Sequence, residues 1–252
     1  MSAAFDGGAD PPVLQVRRLQ VSYAGNRAVD LESLSVGAGE IVGVVGANGA
    51  GKSTLVNALA GWSRGAPRVR GEVLLENRRV DGWPTHDRVR AGLLLVPEGR
   101  LVFSRMSVEE NLSPAFSPVA APGRRVYTRD EVYELFPRLK ERRLHLGSQL
   151  SGGERQMLGI GRALTMGPQV LLLDEPSIGL APMLVSQVLQ TMRSLARAGL
   201  SILLVEQNVR AAIEVVDRLL LLERGRVVME GPAAQVGSDP RIAQAYLGAT
   251  AA

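Results

Sequence analysis

Short, wholly apolar runs recur along the chain at 93–96, 170–173, 202–205 and 219–222, each closed on its C-terminal side by a proline or a carboxylate. Runs of that length and purity fit strands buried on both faces. A fifth, at 41–45, feeds a glycine-rich loop and then a helix from Lys52 to about Ala60. Further helices are predicted over 182–198, with proline first and Gly199 just past the end, and over 207–216. Strand followed by helix, repeated, predicts an α/β fold with a parallel sheet covered by helices on both faces. Segments 13–23 and 71–80 read as strands of a separate antiparallel β lobe, and 219–229 as a hairpin turning at Arg224 and Gly225. From about 98 to 166 the pattern changes to helices and loops, broken by Pro114, Pro118 and Pro122, which predicts an inserted helical lobe. Residues 1–12, rich in Ala, Gly, Asp and Pro, read as a flexible tail, leaving 13–252 as a single domain.

Hydrophobic residues make up 46% of the 252, enough for a sizeable core. No cysteine is present, which excludes disulfides, thiolate metal sites and cysteine nucleophiles. No apolar run approaches the ~20 residues that span a bilayer, and the N-terminus lacks the basic start and apolar middle of a signal peptide. A soluble protein is expected, with any membrane role exercised through a partner. The net charge of +4 comes almost entirely from arginine, since Lys52 and Lys140 are the only lysines. The densest basic stretch, 138–143, has no interleaved aromatics, so no nucleic-acid partner is expected. His86 and His145, the only histidines, read as surface residues.

Chemistry concentrates in three places. Gly46-Ala47-Asn48-Gly49-Ala50-Gly51-Lys52-Ser53-Thr54 matches the Walker A pattern, between a strand and a helix as the pattern requires. Glycines let backbone N–H groups turn toward a β-phosphate, and the helix start adds a favourable dipole. Lys52 supplies a compact charge to the β- and γ-phosphates, and Ser53 a hydroxyl for Mg²⁺. Second, the run at 170–173 ends in Asp174 and Glu175, a Walker B candidate. Asp174 is expected to hold the metal and Glu175 to accept a proton from the attacking water. Third, Leu150-Ser151-Gly152-Gly153-Glu154-Arg155-Gln156 has a capping-box spacing at a helix start, with two glycines that would admit a phosphate closely. The Walker A loop already serves the phosphates of its own chain. This second helix start is therefore expected to face ATP held by another subunit.

With these three motifs the chain resembles the ABC transporter ATPases over 13–248, and more narrowly the branched-chain amino-acid importer ATPases of the LivF type. The narrower resemblance rests on Val96-Pro97-Glu98-Gly99-Arg100, Phe103-Ser104-Arg105-Met106, Val108-Glu109-Glu110-Asn111-Leu112, Tyr133-Glu134-Leu135-Phe136-Pro137-Arg138-Leu139, Pro176-Ser177-Ile178-Gly179-Leu180-Ala181-Pro182 and Val205-Glu206-Gln207-Asn208. It implies that Tyr23 stacks on adenine and that Gln207 takes the place of a switch histidine. Glu98 stands where most members have a metal-contacting glutamine, and Ala181 where many have an aspartate. The resemblance further implies ATP and Mg²⁺ as cofactors and a second ABC ATPase, identical or not, as partner. Two transmembrane permeases and, indirectly, an external solute-binding protein complete the assembly, with the chain peripheral on the cytoplasmic face of the inner membrane. Residues 98–116 are implied to form much of the permease-docking face. Three alternatives stay open: an ABC ATPase working off membranes, an ATP-binding scaffold with little hydrolysis, and an importer of urea, amides or other amino acids.

Overall fold

The computed structural model describes residues 11–63, 65–99, 102–113 and 123–242. The expected tail up to residue 10 lies outside them, as do Arg100, Leu101 and residues 114–122 of the expected helical lobe and docking face.

The apolar runs assemble into a six-stranded sheet. In chain order its strands are β3 (Ile41–Val45), β6 (Leu93–Val96), β7 (Val170–Asp174), β8 (Ser201–Glu206), β9 (Arg218–Glu223) and β10 (Arg226–Pro232), arranged β10-β9-β3-β8-β7-β6. All neighbours run parallel except β10, which returns antiparallel beside β9 as the expected hairpin. Period-2 geometry sends alternate residues to opposite faces. Ile41, Val45, Leu171 and Leu173 join one apolar cluster with helices α6 (Gly152–Leu164) and α7 (Pro182–Arg197). Val42, Val44, Val170 and Leu172 join another with helix α1 (Lys52–Ala60) and an antiparallel sheet.

That antiparallel sheet has the order β2-β1-β4-β5, from β1 (Leu14–Tyr23), β2 (Asn26–Val36), β4 (Arg68–Leu75) and β5 (Arg78–Arg79). The segment 71–80, expected as one strand, is instead a hairpin. Glu76 and Asn77 take positive φ of 48° and 62° and turn the chain. Strand β2 was not expected. Its buried residues Val29, Leu31, Leu34 and Val36 skip a phase at the exposed pair Glu32 and Ser33. The same skip occurs in β1 between Val16 and Leu19, where Arg18 is left-handed (φ 48°). Gly71 makes room for this kink, because a Cβ there would lie 2.5 Å from the Arg18 carbonyl oxygen.

Between β6 and β7 the described residues form helices α3 (Val108–Asn111), α4 (Thr128 cap, Arg129–Leu135), α5 (Pro137–Glu141) and α6. Three of them start on a capping box: Ser107 with Glu110, Thr128 with Glu131, and Ser151 with Glu154. The helix expected over 207–216 is shorter. α8 covers Val209–Ile213 because the Asn208 side chain caps it, accepting from the Ala211 N–H. Gln207 is thereby left in the loop ahead of the helix. Among the described residues no helix is long and apolar enough to cross a membrane.

Candidate nucleotide site

The loop after β3 is fixed by its neighbours. Gly51 (φ 105°) abuts the first residues of β2, where a Cβ would stand 2.6 Å from the Ala28 carbonyl oxygen. Gly225, at the β9–β10 turn, donates its N–H to Ala50 (2.8 Å), and its own carbonyl accepts from Asp30 (2.7 Å). Two hairpins thus wedge the loop from behind. Its front is open: Asn48 and Gly49 are exposed, and a Cβ on Gly49 would meet nothing within 4 Å. Lys52, Ser53 and Thr54 begin α1, so their N–H groups lack intrahelical acceptors and carry the positive end of its dipole.

Lys52 is only 4% exposed. Its ammonium folds back over the loop, donating to the carbonyls of Gly46 (2.9 Å) and Ala47 (3.3 Å) and pairing with Glu175 at 3.1 Å. Strand register brings the carboxylates level with it: Val45 lies beside Glu206, and Asp174 beside Val205. Ser53 donates its hydroxyl to Asp174 at 3.0 Å. Burial pushes the Asp174 carboxyl up to about 6 against that hydrogen bond, and the charges of Glu175 and Glu98 add to the rise. Glu98 is itself exposed, just past β6, and acts on the site through its charge. Glu175 sits in the left-handed region (φ 48°), unusual for a side-chain-bearing residue. Gln207 is exposed beyond β8, and Tyr23 is half-buried at the end of β1. Glu175, Glu206 and Gln207 also line a groove of about 790 Å³ between α7 and α8.

A family model described as ABC transporter matches residues 30–178, more than half of the chain. The chain belongs to the ABC transporter family. It is an ATP-binding, ATP-hydrolysing subunit of that family. It is 43% identical over 94% of its length to the whole of BraG, a high-affinity branched-chain amino acid transport ATP-binding protein of Pseudomonas aeruginosa. It is 32% identical over 93% of its length, and 97% of the relative's, to the lipopolysaccharide export ATP-binding protein LptB of Escherichia coli. Its fold resembles the ADP conformation of MJ1267, an ATP-binding cassette of an ABC transporter (TM-score 0.78, 26% identity, 95% of this chain and 100% of that one).

In this ABC cassette the signature segment lies apart from the Walker residues. Helix α6 packs against α3, α5 and β6, whereas α1 packs against β6, β7 and α2 (Thr85–Ala91). Among the described residues no hydrogen bond or ion pair joins 151–154 to 46–54. Ser151 and Gly152 are exposed, with open space where a Gly152 Cβ would be. The second glycine is also constrained by packing. A Cβ on Gly153 would stand 2.8 Å from Leu184 of α7, so its smallness serves helix packing. Glu154 is engaged by its own chain, accepting the Ser151 N–H at 2.8 Å and lying 3.5 and 3.6 Å from Arg138 and Arg142. Burial works to raise its pKa, but the bonds from Ser151 and the two guanidinium charges hold it below the usual range. His86 is exposed, while His145 is half-buried against Arg142.

Sequence reasoning missed Glu206 and Ser177 as parts of this site. The available signal was the acid closing the apolar run 202–205; Glu206 is 1% exposed, where a solvated strand end would be open to water.

Proposed function

We propose that this cassette is the ATPase of a branched-chain amino-acid importer. The reading is carried by the cluster of Lys52, Ser53, Asp174 and Glu175 at one end of the sheet, in a chain 43% identical to BraG. The β- and γ-phosphates lie in the front of the 46–54 loop, drawing the Lys52 ammonium away from Glu175. Glu175 then accepts a proton from water as the water oxygen bonds to the γ-phosphorus and the bond to the bridging oxygen of ADP breaks. Gln207 orients that water, and Tyr23 stacks on the adenine. Ser53 and Asp174 would hold a magnesium ion: a hydroxyl hydrogen-bonded to a buried carboxylate, with the charge of Glu98 acting on the same group. Such a set leaves the remaining positions to phosphate oxygens and water, which suits magnesium. When bound, the ion neutralises phosphate charge.

A second subunit completes each site by presenting its helix start at Ser151 and Gly152. Exposed Ile178 and Met183, on the loop after Glu175 and at the start of α7, fit a face that such a subunit covers. Permeases dock near 98–113, holding the chain against the cytoplasmic side of the membrane. The test is Glu175→Gln in the assembled transporter. ATP binding is expected to survive while hydrolysis falls ~10²–10⁴-fold and leucine uptake stops. Wild-type hydrolysis in that variant removes Glu175 from the chemistry, and leucine-independent turnover of the intact transporter removes the solute assignment.

A further inference from the structure

The scheme above leaves Glu206 without a task, although a buried carboxylate is costly unless hydrogen-bonded. One of its oxygens accepts the Ser177 N–H at 3.0 Å and the other the Ser177 hydroxyl at 2.8 Å. The backbone N–H of Asn208 also favours its charged form. Burial raises its pKa, those bonds oppose the rise, and the charge of Glu175 adds to it. Both hydrogen-bond donors belong to Ser177, and Glu206 itself leads directly into a second loop. Ser177 follows Glu175 by two positions, and Asn208 is next after Gln207.

Glu175 needs such support. Its left-handed backbone persists only where the surroundings enforce it. The Glu175 N–H donates to the Val205 carbonyl at 2.9 Å, and the chain then folds through two turns, Ile178 to Glu175 (3.2 Å) and Leu180 to Ser177 (3.2 Å). This folded loop is fastened to the end of β8 at two points, the Val205 carbonyl and the Glu206 carboxylate.

We propose that Glu206 is a positioning residue for ATP hydrolysis, clamping the loop that carries Glu175 to the loop that carries Gln207 so that base and amide keep one relative placement. The inference rests on reading Glu175 as the base. It gives Glu206 no contact with ATP; its effect belongs to turnover and not to nucleotide affinity.

The experiment compares Glu206→Gln, Ser177→Ala and Ser177→Thr in the assembled transporter, with kcat and the KM for ATP measured separately. Glu206→Gln offers an amide where two donors converge, and is expected to lower kcat about 10–100-fold with KM within about twofold. Ser177→Ala loses one of the two bonds and is expected to lower kcat about 3–10-fold, while Ser177→Thr keeps both donors and the rate. In a Glu175→Gln background, Glu206→Gln is expected to lower the residual rate no further, because a clamp acts through the residue it places. Three outcomes overturn the proposal: wild-type kcat in Glu206→Gln, a loss in KM as large as that in kcat, or the same fold-loss with and without Glu175. If Glu206→Gln does not fold, Ser177→Ala decides by itself, and wild-type kcat there overturns the clamp. Full hydrolysis by Glu175→Gln alone defeats the catalytic reading beneath the proposal. An inactive Glu175→Gln beside a fully active Glu206→Gln defeats only the clamp.

Discussion

Asp174 is held where a carboxylate is least comfortable, 4% exposed and beside the charge of Glu175. Its pKa of about 6 lies above the ordinary aspartate value, so the folded chain binds that proton more tightly than the unfolded chain does. The stabilisation from this group is complete below about pH 4 and is lost as pH rises to about 6. At neutral pH the ionised group then costs on the order of 3 kcal/mol. Asp174→Asn removes the ionisation and keeps an oxygen for the Ser53 hydroxyl. Without nucleotide and in chelator, the melting temperature of the variant minus that of the wild type is expected to grow between about pH 4 and 6 and then level off. A difference independent of pH shows that Asp174 ionises in its ordinary range. The carboxylates that hydrogen bonds and arginines hold low, Asp30 and Asp81 among them, titrate in both proteins and cancel in the subtraction.

Helix α1 is gripped at both ends, and only one grip was legible in the sequence. The glycines and Lys52 announce its start. At its end Arg88, 4% exposed on α2, donates to the carbonyls of Ala58 (3.0 Å) and Leu59 (2.7 Å) and to those of Trp83 and Asp81. A guanidinium satisfying four carbonyls is worth far more than a surface arginine. Arg88→Met is expected to lower unfolding free energy by about 3 kcal/mol in urea titration while leaving ATP affinity near the wild-type value. A change under about 0.5 kcal/mol means water replaces it. In a chain that uses arginine nearly everywhere, nothing marked Arg88 as different; its role depends on a contact thirty residues back. The five parallel strands of the large sheet were legible because each carries an unbroken apolar run buried on both faces, and half-exposed β10 because of its turn at Arg224 and Gly225. β2 was not, because its phase slips at Glu32 and Ser33 to match the kink at Arg18. The Walker residues were legible one by one, but the pairing of Lys52 with Glu175 arises only when β3 and β7 are brought together across β8.

At the scale of the molecule the cassette carries two helix starts suited to phosphate, α1 behind its fixed loop and α6 at exposed Ser151 and Gly152. On the function proposed above, one chain's loop and another chain's signature segment make each complete site. That arrangement has a consequence no single-chain site shares. Lys52→Ala disables only the loop side of a chain, and Ser151→Arg only the signature side. Each variant by itself gives dimers in which every site contains a lesion, so both are expected to be inactive, while Ser151→Arg still binds ATP as an isolated subunit. When the two variants are mixed, about half of the dimers are hybrids. In each hybrid one site collects both lesions and the other collects none. With sites acting independently, dimers of this chain are expected to regain about a quarter of the wild-type hydrolysis on mixing. Placing both substitutions in one chain and mixing it with wild type gives the opposite result, because every hybrid then has one lesion in each site and no active hybrid forms. Recovery in the first mixture and none from hybrids in the second is the signature of sites shared across the interface. If Ser151 acts on the ATP of its own chain, the two inactive variants stay inactive together.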